Sequence, residues 1–225
     1  TLRPEQQDKV CMVMHTEPIM EHGTDLPTFI DHCIPDSKVI FIPDKFSETE
    51  LNYLYNLSDV TINVASNEGF GLATAESIMA ETPIIVNVTG GMQDQCGFRD
   101  KKTDKLFTAE DYIKIGSLHD KKKWETNVTW GDWVKPIWPV RSTTGSVPTP
   151  YIFDDRVNDH EVANAISQVY SWSKKERKER GLKGREWMMG DGLLNADYMC
   201  QSLSEGIETT FKNWKPIKKF NLIEI

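Results

Sequence analysis

The sequence predicts an α/β fold: a doubly wound parallel sheet, then an irregular tryptophan-rich insertion, then C-terminal helices. Three observations predict it. Four short apolar runs, rich in β-branched residues, fall within the first 90 residues. Helical patterns separate the second, third and fourth runs, which demands crossover connections and therefore parallel strands. The runs are apolar at consecutive rather than alternate positions, so both sheet faces lie under helices.

Taken in order, the strands are read at residues 11–15 (CMVMH), 38–42 (KVIFI, stopped by Pro43), 60–65 (VTINVA) and 84–88 (IIVNV, opened by Pro83 and closed by Gly90-Gly91). Between the second and third, Ser47 with Glu50 makes a capping box, and Leu51, Leu54, Tyr55 and Ser58 recur at helical spacing. LATAESIMAE, between the third and fourth, is another helical stretch. Residues 98–156 break the rhythm with scattered Pro and Gly, a lysine run and four tryptophans, Trp124, Trp130, Trp133 and Trp138. That segment is too long for an ordinary loop and reads as an insertion with little regular structure, packed by its aromatics. Helices return at Asn158, where Glu161 completes a second capping box and Val162, Ala165, Ile166, Val169 and Tyr170 form a stripe. KKERKERGLKGREWM reads as a charged, exposed helix interrupted by Gly181 and Gly184, and residues 193–214 as a last long helix. The chain is taken as one domain, with a core at 8–97, the insertion, and helices at 157–215.

Composition sets bounds. A 225-residue chain that is 39% hydrophobic can bury a full core. A net charge of -8 argues against a nucleic-acid-binding surface. No apolar run reaches bilayer length, and no secretory signal is visible. Cys11, Cys33, Cys96 and Cys200 form no Cys-x-x-Cys pair, which fits a reducing, cytoplasmic compartment and gives no metal signature. Two Asn-Val-Thr triplets, at Asn87 and Asn127, read as chance sequons. Thr1 stands where a start methionine is expected, so the chain reads as a processed product or a fragment.

The stretch SNEGFGLATAE, residues 66–76, carries the functional signal. It sits at the carboxyl end of a strand and the entrance of a helix, where open parallel sheets bind ligands. Glycines permit close backbone approach, and a helix N-terminus presents unpaired N–H groups that suit a phosphate or diphosphate. Glu68 and Glu76, seven residues between them, make no sense as phosphate ligands. As carboxylates they suit sugar diols, since each accepts two O–H hydrogen bonds. The plainer reading is a solvated glutamate and an ordinary turn. It is weakened because the Glu76 helix is made of small and apolar residues, and glutamate is rarely buried unpaired.

Glu-Gly-Phe-Gly-Leu, a small-residue helix with a second Glu, and a Thr-Pro-Ile-Ile-Val strand together resemble the nucleotide-sugar domain of retaining GT-B glycosyltransferases, family 4 in particular, with its Glu-x7-Glu motif. The resemblance is firm over residues 38–95, extends to 8–37, and is weaker at GSVPTPYIFDDRVNDHEVANAI. It implies a Rossmann-like C-terminal domain whose ligand is a nucleoside diphosphate sugar, with no metal and no cofactor. By it, Glu68 is the catalytic-site acid that contacts donor-sugar hydroxyls, and Glu76 holds the ribose. The amides of Gly69, Phe70, Gly71 and Leu72 cradle the diphosphate. Ile42 and Pro43 pass the nucleobase, Thr16 faces the same cleft beside His15, and Gly90 and Gly91 let the following loop approach the donor. His15 serves equally well as a satisfied strand-end histidine.

The pattern is departed from in two ways. The family's Arg and Lys, which neutralise the leaving diphosphate, have no clear counterpart, Arg3 and Lys9 lying in the wrong context. The acceptor-binding N-terminal domain is also missing, so the chain reads as the donor half of a larger enzyme, inactive alone, whose acceptor is a glycan or other hydroxyl compound. Its last helix, deprived of that domain, would fold on itself or pair two copies into a homodimer. The tryptophans are either a sugar platform or a satellite core. A nucleotide-sugar 2-epimerase and a non-catalytic nucleotide-binding module are the rival functions.

Overall fold

The computed structural model describes residues 3–145, 149, 151–192 and 194–216. In chain order the elements are α1 (Pro4–Gln7), β1 (Met12–Met14), α2 (Leu26–Cys33), β2 (Val39–Phe41), α3 (Glu48–Leu57), β3 (Thr61–Asn63), α4 (Leu72–Met79) and β4 (Ile84–Asn87). A 3₁₀ segment, Gly90–Cys96, leads to β5 (Arg99–Asp100), α5 (Ala109–Ile115), α6 (Lys121–Asn127), β6 (Val128–Thr129), β7 (Val134–Ile137), β8 (Val140–Thr144) and β9 (Ile152–Arg156). Three helices close the described chain: α7 (Asp159–Ser171), α8 (Lys174–Met189) and α9 (Ala196–Asn213).

The four expected strands are present, each shorter than its apolar run. β1 and β2 form a parallel pair, and β3, β4 and β7 form a parallel sheet in that order. Successive β4 side chains point to opposite faces. Ile84 and Val86 join the cluster that holds Ile78 of α4 and Met188 of α8, whereas Ile85 packs with Ile137, Ala165 and Val169 under α7. Helices therefore cover both faces, which is the doubly wound α/β arrangement. Among the described residues no helix is long and apolar enough to cross a membrane.

Residues 98–156 are not an irregular insertion. They supply the third strand of the sheet, β7, together with two helices and the β8–β9 hairpin. The strand was hidden because VKPI carries a lysine and a proline. Pro136 has no N–H to give, and an edge strand tolerates this because only one side is paired. The tryptophans are core, not platform. Trp124, Trp133 and Trp138 are buried, Phe98 stacks on Trp138 with centroids 5.8 Å apart, and Trp133 stacks on Trp187 at 4.9 Å. Trp130 is partly buried against the same cluster.

Local chemistry explains the helix ends. The α3 capping box forms as expected, Ser47 N–H donating to Glu50 Oε2 at 2.8 Å. At α7 only half of the expected box forms: Asn158 caps the helix by accepting from His160 N–H, while Glu161 turns away to pair with Lys121. Gly181 and Gly184 do not interrupt α8. They form its buried stripe with Met188, where a side chain would collide with Glu81 or Trp133. The last helix begins at Ala196, capped by Asn195; residue 193 lies outside the described residues. None of the residues of α9 is buried, and Met199, Leu203, Ile207 and Phe211 form an exposed apolar stripe.

Candidate functional site

Residues 65–71 leave the carboxyl end of β3 and turn into α4, and inward-facing hydrogen bonds hold the carbonyls of Ala65, Ser66, Glu68, Phe70 and Gly71. Asn87, at the carboxyl end of β4, donates from Nδ2 to Ala65 O at 2.9 Å and to Asp155 O at 2.6 Å. Asp155 in β9 donates its N–H to Ser66 O at 3.3 Å. Its carboxylate accepts from Thr89 Oγ1 at 2.9 Å and lies 2.8 Å from His119 Nε2. Asn67 donates to Asp154 Oδ1 at 3.2 Å. The hairpin thus braces the first half of the loop.

The second half is held by the 3₁₀ segment. Gly91 N–H donates to Glu68 O at 3.1 Å. A Cβ at Gly90 would sit 1.8 Å from Glu68 O, and one at Gly91 2.3 Å from Gly69 O, so these glycines are engaged with the motif loop itself. Gln95 Nε2 donates to Phe70 O at 2.5 Å and to Gly71 O at 3.1 Å. Gly71 O also accepts from Thr74 Oγ1 at 2.8 Å and Ala75 N–H at 3.0 Å. Gly71 caps α4 at φ 87°, a left-handed conformation that favours glycine.

In a trans peptide the C=O and the next N–H point in opposite directions. The carbonyls of Glu68, Phe70 and Gly71 all face inward to protein donors. The N–H groups of Gly69, Gly71 and Leu72 consequently face the other way. Among the described residues, the N–H groups of Gly69, Phe70, Gly71 and Leu72 donate to no protein acceptor. Four successive free donors at the start of an eight-residue helix form a concentrated positive end.

The two acids flank this end, but not in the way the composition suggested. Glu68 is half-buried, and its carboxylate makes no hydrogen bond or ion pair among the described residues. Glu76 is exposed, not buried. At 100° per residue, Thr74, Ala75, Ser77 and Ile78 take the inner face of α4, and Glu76 falls one turn below Leu72 on the outer face. There it accepts a hydrogen bond from Tyr55 Oη at 2.9 Å. Burial, reinforced by the Glu76 carboxylate, pushes the Tyr55 hydroxyl above its ordinary pKa, so it stays a donor.

The remaining expected residues lie elsewhere on the β1–β2 pair. Ile42 N–H donates to Met14 O at 3.0 Å, and Pro43 is exposed. Thr16 donates weakly to the neighbouring Glu17 O at 3.4 Å. His15 is satisfied locally, with Nε2 2.9 Å from Asp44 O and its ring stacked on Phe46. Among the described residues no hydrogen bond joins Thr16, Ile42 or Pro43 to the motif loop, and no lysine or arginine pairs with residues 66–76. Arg3 pairs with Glu5 at 3.3 Å. Nor do the described residues include a group of three or more His, Cys, Asp or Glu placed to hold a metal ion.

Sequence reasoning missed Gln95, Asn87, Thr89, His119 and Asp155. Nothing local singles them out, because each acts on the loop from a distant segment. Residues 26–112, which carry α2 through most of α5 and the whole motif loop, match the family described as glycosyl transferases group 1. That match supports a glycosyltransferase domain. No curated protein matches the chain.

Proposed function

We propose that the turn between β3 and α4 binds a nucleoside diphosphate sugar as glycosyl donor, and that the chain is the donor half of a retaining glycosyltransferase. The observation that carries this is the row of four N–H groups at Gly69 to Leu72 that have no partner among the described residues, flanked by Glu68 and Glu76 within the matched segment. In this reading the amides and the α4 N-terminus bind the diphosphate and stabilise the charge that grows on its oxygen as the bond from the sugar anomeric carbon breaks. Glu68 accepts hydroxyls of the transferred sugar, and Glu76 accepts the ribose diol on the nucleotide side. Among the described residues no lysine or arginine forms a hydrogen bond or ion pair with the loop, so in this reading the amides are the principal charge-stabilising groups. The acceptor, a glycan or other hydroxyl compound, would be presented by sequence outside these residues.

A thermal-shift and calorimetric screen of nucleoside diphosphates and their sugars tests the reading. Glu76→Gln keeps the side-chain volume and should weaken nucleotide binding by about 1–3 kcal/mol, the scale of a hydrogen bond to a charged group. Binding of no nucleotide by the unmodified chain, or unchanged affinity in Glu76→Gln, would refute the assignment it addresses. Product analysis with a nucleoside diphosphate sugar and a hydroxyl acceptor separates transfer from 2-epimerisation, and binding without turnover identifies a non-catalytic module.

A further inference from the structure

We infer that Gln95 is a positioning residue for this donor site: its side-chain amide prevents the Phe70–Gly71 peptide from flipping, and so keeps the Gly71 N–H aimed at the ligand. The inference rests on the diphosphate-binding reading above and names a residue that neither the motif nor the family match singles out.

Gln95 is wholly buried, and its Nε2 reaches Phe70 O at 2.5 Å and Gly71 O at 3.1 Å. The amide orientation is forced, because the reverse would set Oε1 against two carbonyl oxygens. Oε1 is then left buried with no partner among the described residues. An orphan acceptor of this kind costs stability; a leucine of similar size would avoid it but would take this donor from both carbonyls. The two bonds the side chain does make show where it acts.

The two carbonyls depend on Gln95 unequally. Gly71 O keeps two other donors, Thr74 Oγ1 and Ala75 N–H. Phe70 O has Gln95 as its single partner among the described residues. The peptide from Phe70 to Gly71 ends at a glycine, whose freedom at positive and negative φ permits the plane to turn over. Turned over, it would present a carbonyl oxygen where the diphosphate needs a donor. Gln95 is itself anchored from behind, its backbone carbonyl accepting from Trp133 Nε1 at 3.1 Å. A rigid path thus runs from the aromatic core to one amide of the cradle.

The test compares the full chain with Gln95→Leu by calorimetric titration, using UDP, GDP and ADP, each against its own nucleoside. The unmodified chain should bind at least one diphosphate more tightly than its nucleoside. In Gln95→Leu that advantage should fall about tenfold, the loss of one charge-assisted hydrogen bond, with nucleoside affinity and the folded state maintained. The Gly71 amide resonance should move on adding the diphosphate to the unmodified chain and stay still in the variant. If Gln95→Leu does not fold, Gln95→Met is held to the same criteria. A diphosphate advantage that survives both substitutions overturns the proposal while leaving the donor site intact. Failure of the unmodified chain to bind any of the three diphosphates overturns the donor-site reading, and this proposal falls with it.

Discussion

Tyr55 on α3 donates its hydroxyl to Glu76 on α4 at 2.9 Å, the single hydrogen bond that the Glu76 side chain makes among the described residues. The tyrosine sets the carboxylate's rotamer while leaving its other oxygen free for a ligand. Tyr55→Phe should keep the fold, cost about 1 kcal/mol of stability, and weaken nucleoside diphosphate binding less than Glu76→Gln does. Urea denaturation and calorimetric titration check both parts. Equal binding losses in the two variants would mean that Glu76 acts only through Tyr55.

Gly69 and Gly91 lie on opposite sides of the same loop and should respond oppositely to alanine. A Cβ at Gly91 meets Gly69 O at 2.3 Å and Phe70 Cα at 2.6 Å, whereas one at Gly69 meets nothing within 4 Å. Gly91→Ala should therefore lose about 1–3 kcal/mol of stability through overpacking against rigid backbone. Gly69→Ala should stay within about 0.5 kcal/mol of the parent, since it adds a methyl to open surface. It should nonetheless lower diphosphate affinity, because the methyl occupies the face that the free N–H groups line. Melting curves with and without UDP or GDP separate the two effects.

Asp155 joins four segments through its backbone and side chain. Asp155→Ala keeps the backbone bonds to Ser66 and Asn87 but removes the acceptor shared by Thr89 and His119. A loss of about 1–3 kcal/mol is expected, with Asp155→Asn losing less because one acceptor oxygen remains. The shift in urea midpoint at constant slope checks this; a midpoint unchanged in Asp155→Ala would show the contact to be inert.

Stability should decline on the alkaline side. Burial holds the Cys96 thiol and the Tyr112 hydroxyl above their ordinary pKa values, with the Asp94 carboxylate adding to both. In the unfolded chain these groups lose their protons at about pH 8.5 and about pH 10, while the folded chain keeps them. The unfolded state then binds fewer protons, so the stability that is fully present below those values decreases as pH rises past them. Denaturation midpoints measured from pH 7 to 10.5 should fall in two stages, and Cys96→Ala should remove the first.

The motif was legible because it is local. β3, the turn, α4 and β4 follow one another in the chain, and strand propensity, glycine placement and a small-residue helix all agree across residues 60–88. The orientation of Glu76 was misjudged because composition was read in place of angle: counted from Ile78 and Thr74, residue 76 has to face outward. The role of Gln95 was out of reach, since its meaning lies in two carbonyls more than twenty residues earlier. The glycines of α8 look like interruptions in the sequence because the groups they admit, Glu81 at Gly181 and Trp133 at Gly184, lie in other segments.

β7 has a consequence for how the chain reaches this structure. It is the spatial neighbour of β4, yet residues 88–133 intervene between them in sequence. Pairing over so long a span carries a large loop-closure entropy, and such non-local contacts form late. Until they form, Ile84–Asn87 presents one unpaired edge and two apolar faces to any other chain nearby. The matched segment, residues 26–112, stops before β7 is made. A ribosome that has released only that segment holds a motif loop without Trp133 behind Gln95 and without Asp155 beside Ser66. The proposed binding site should therefore be among the last parts of the molecule to assemble, even though its own residues emerge early in synthesis.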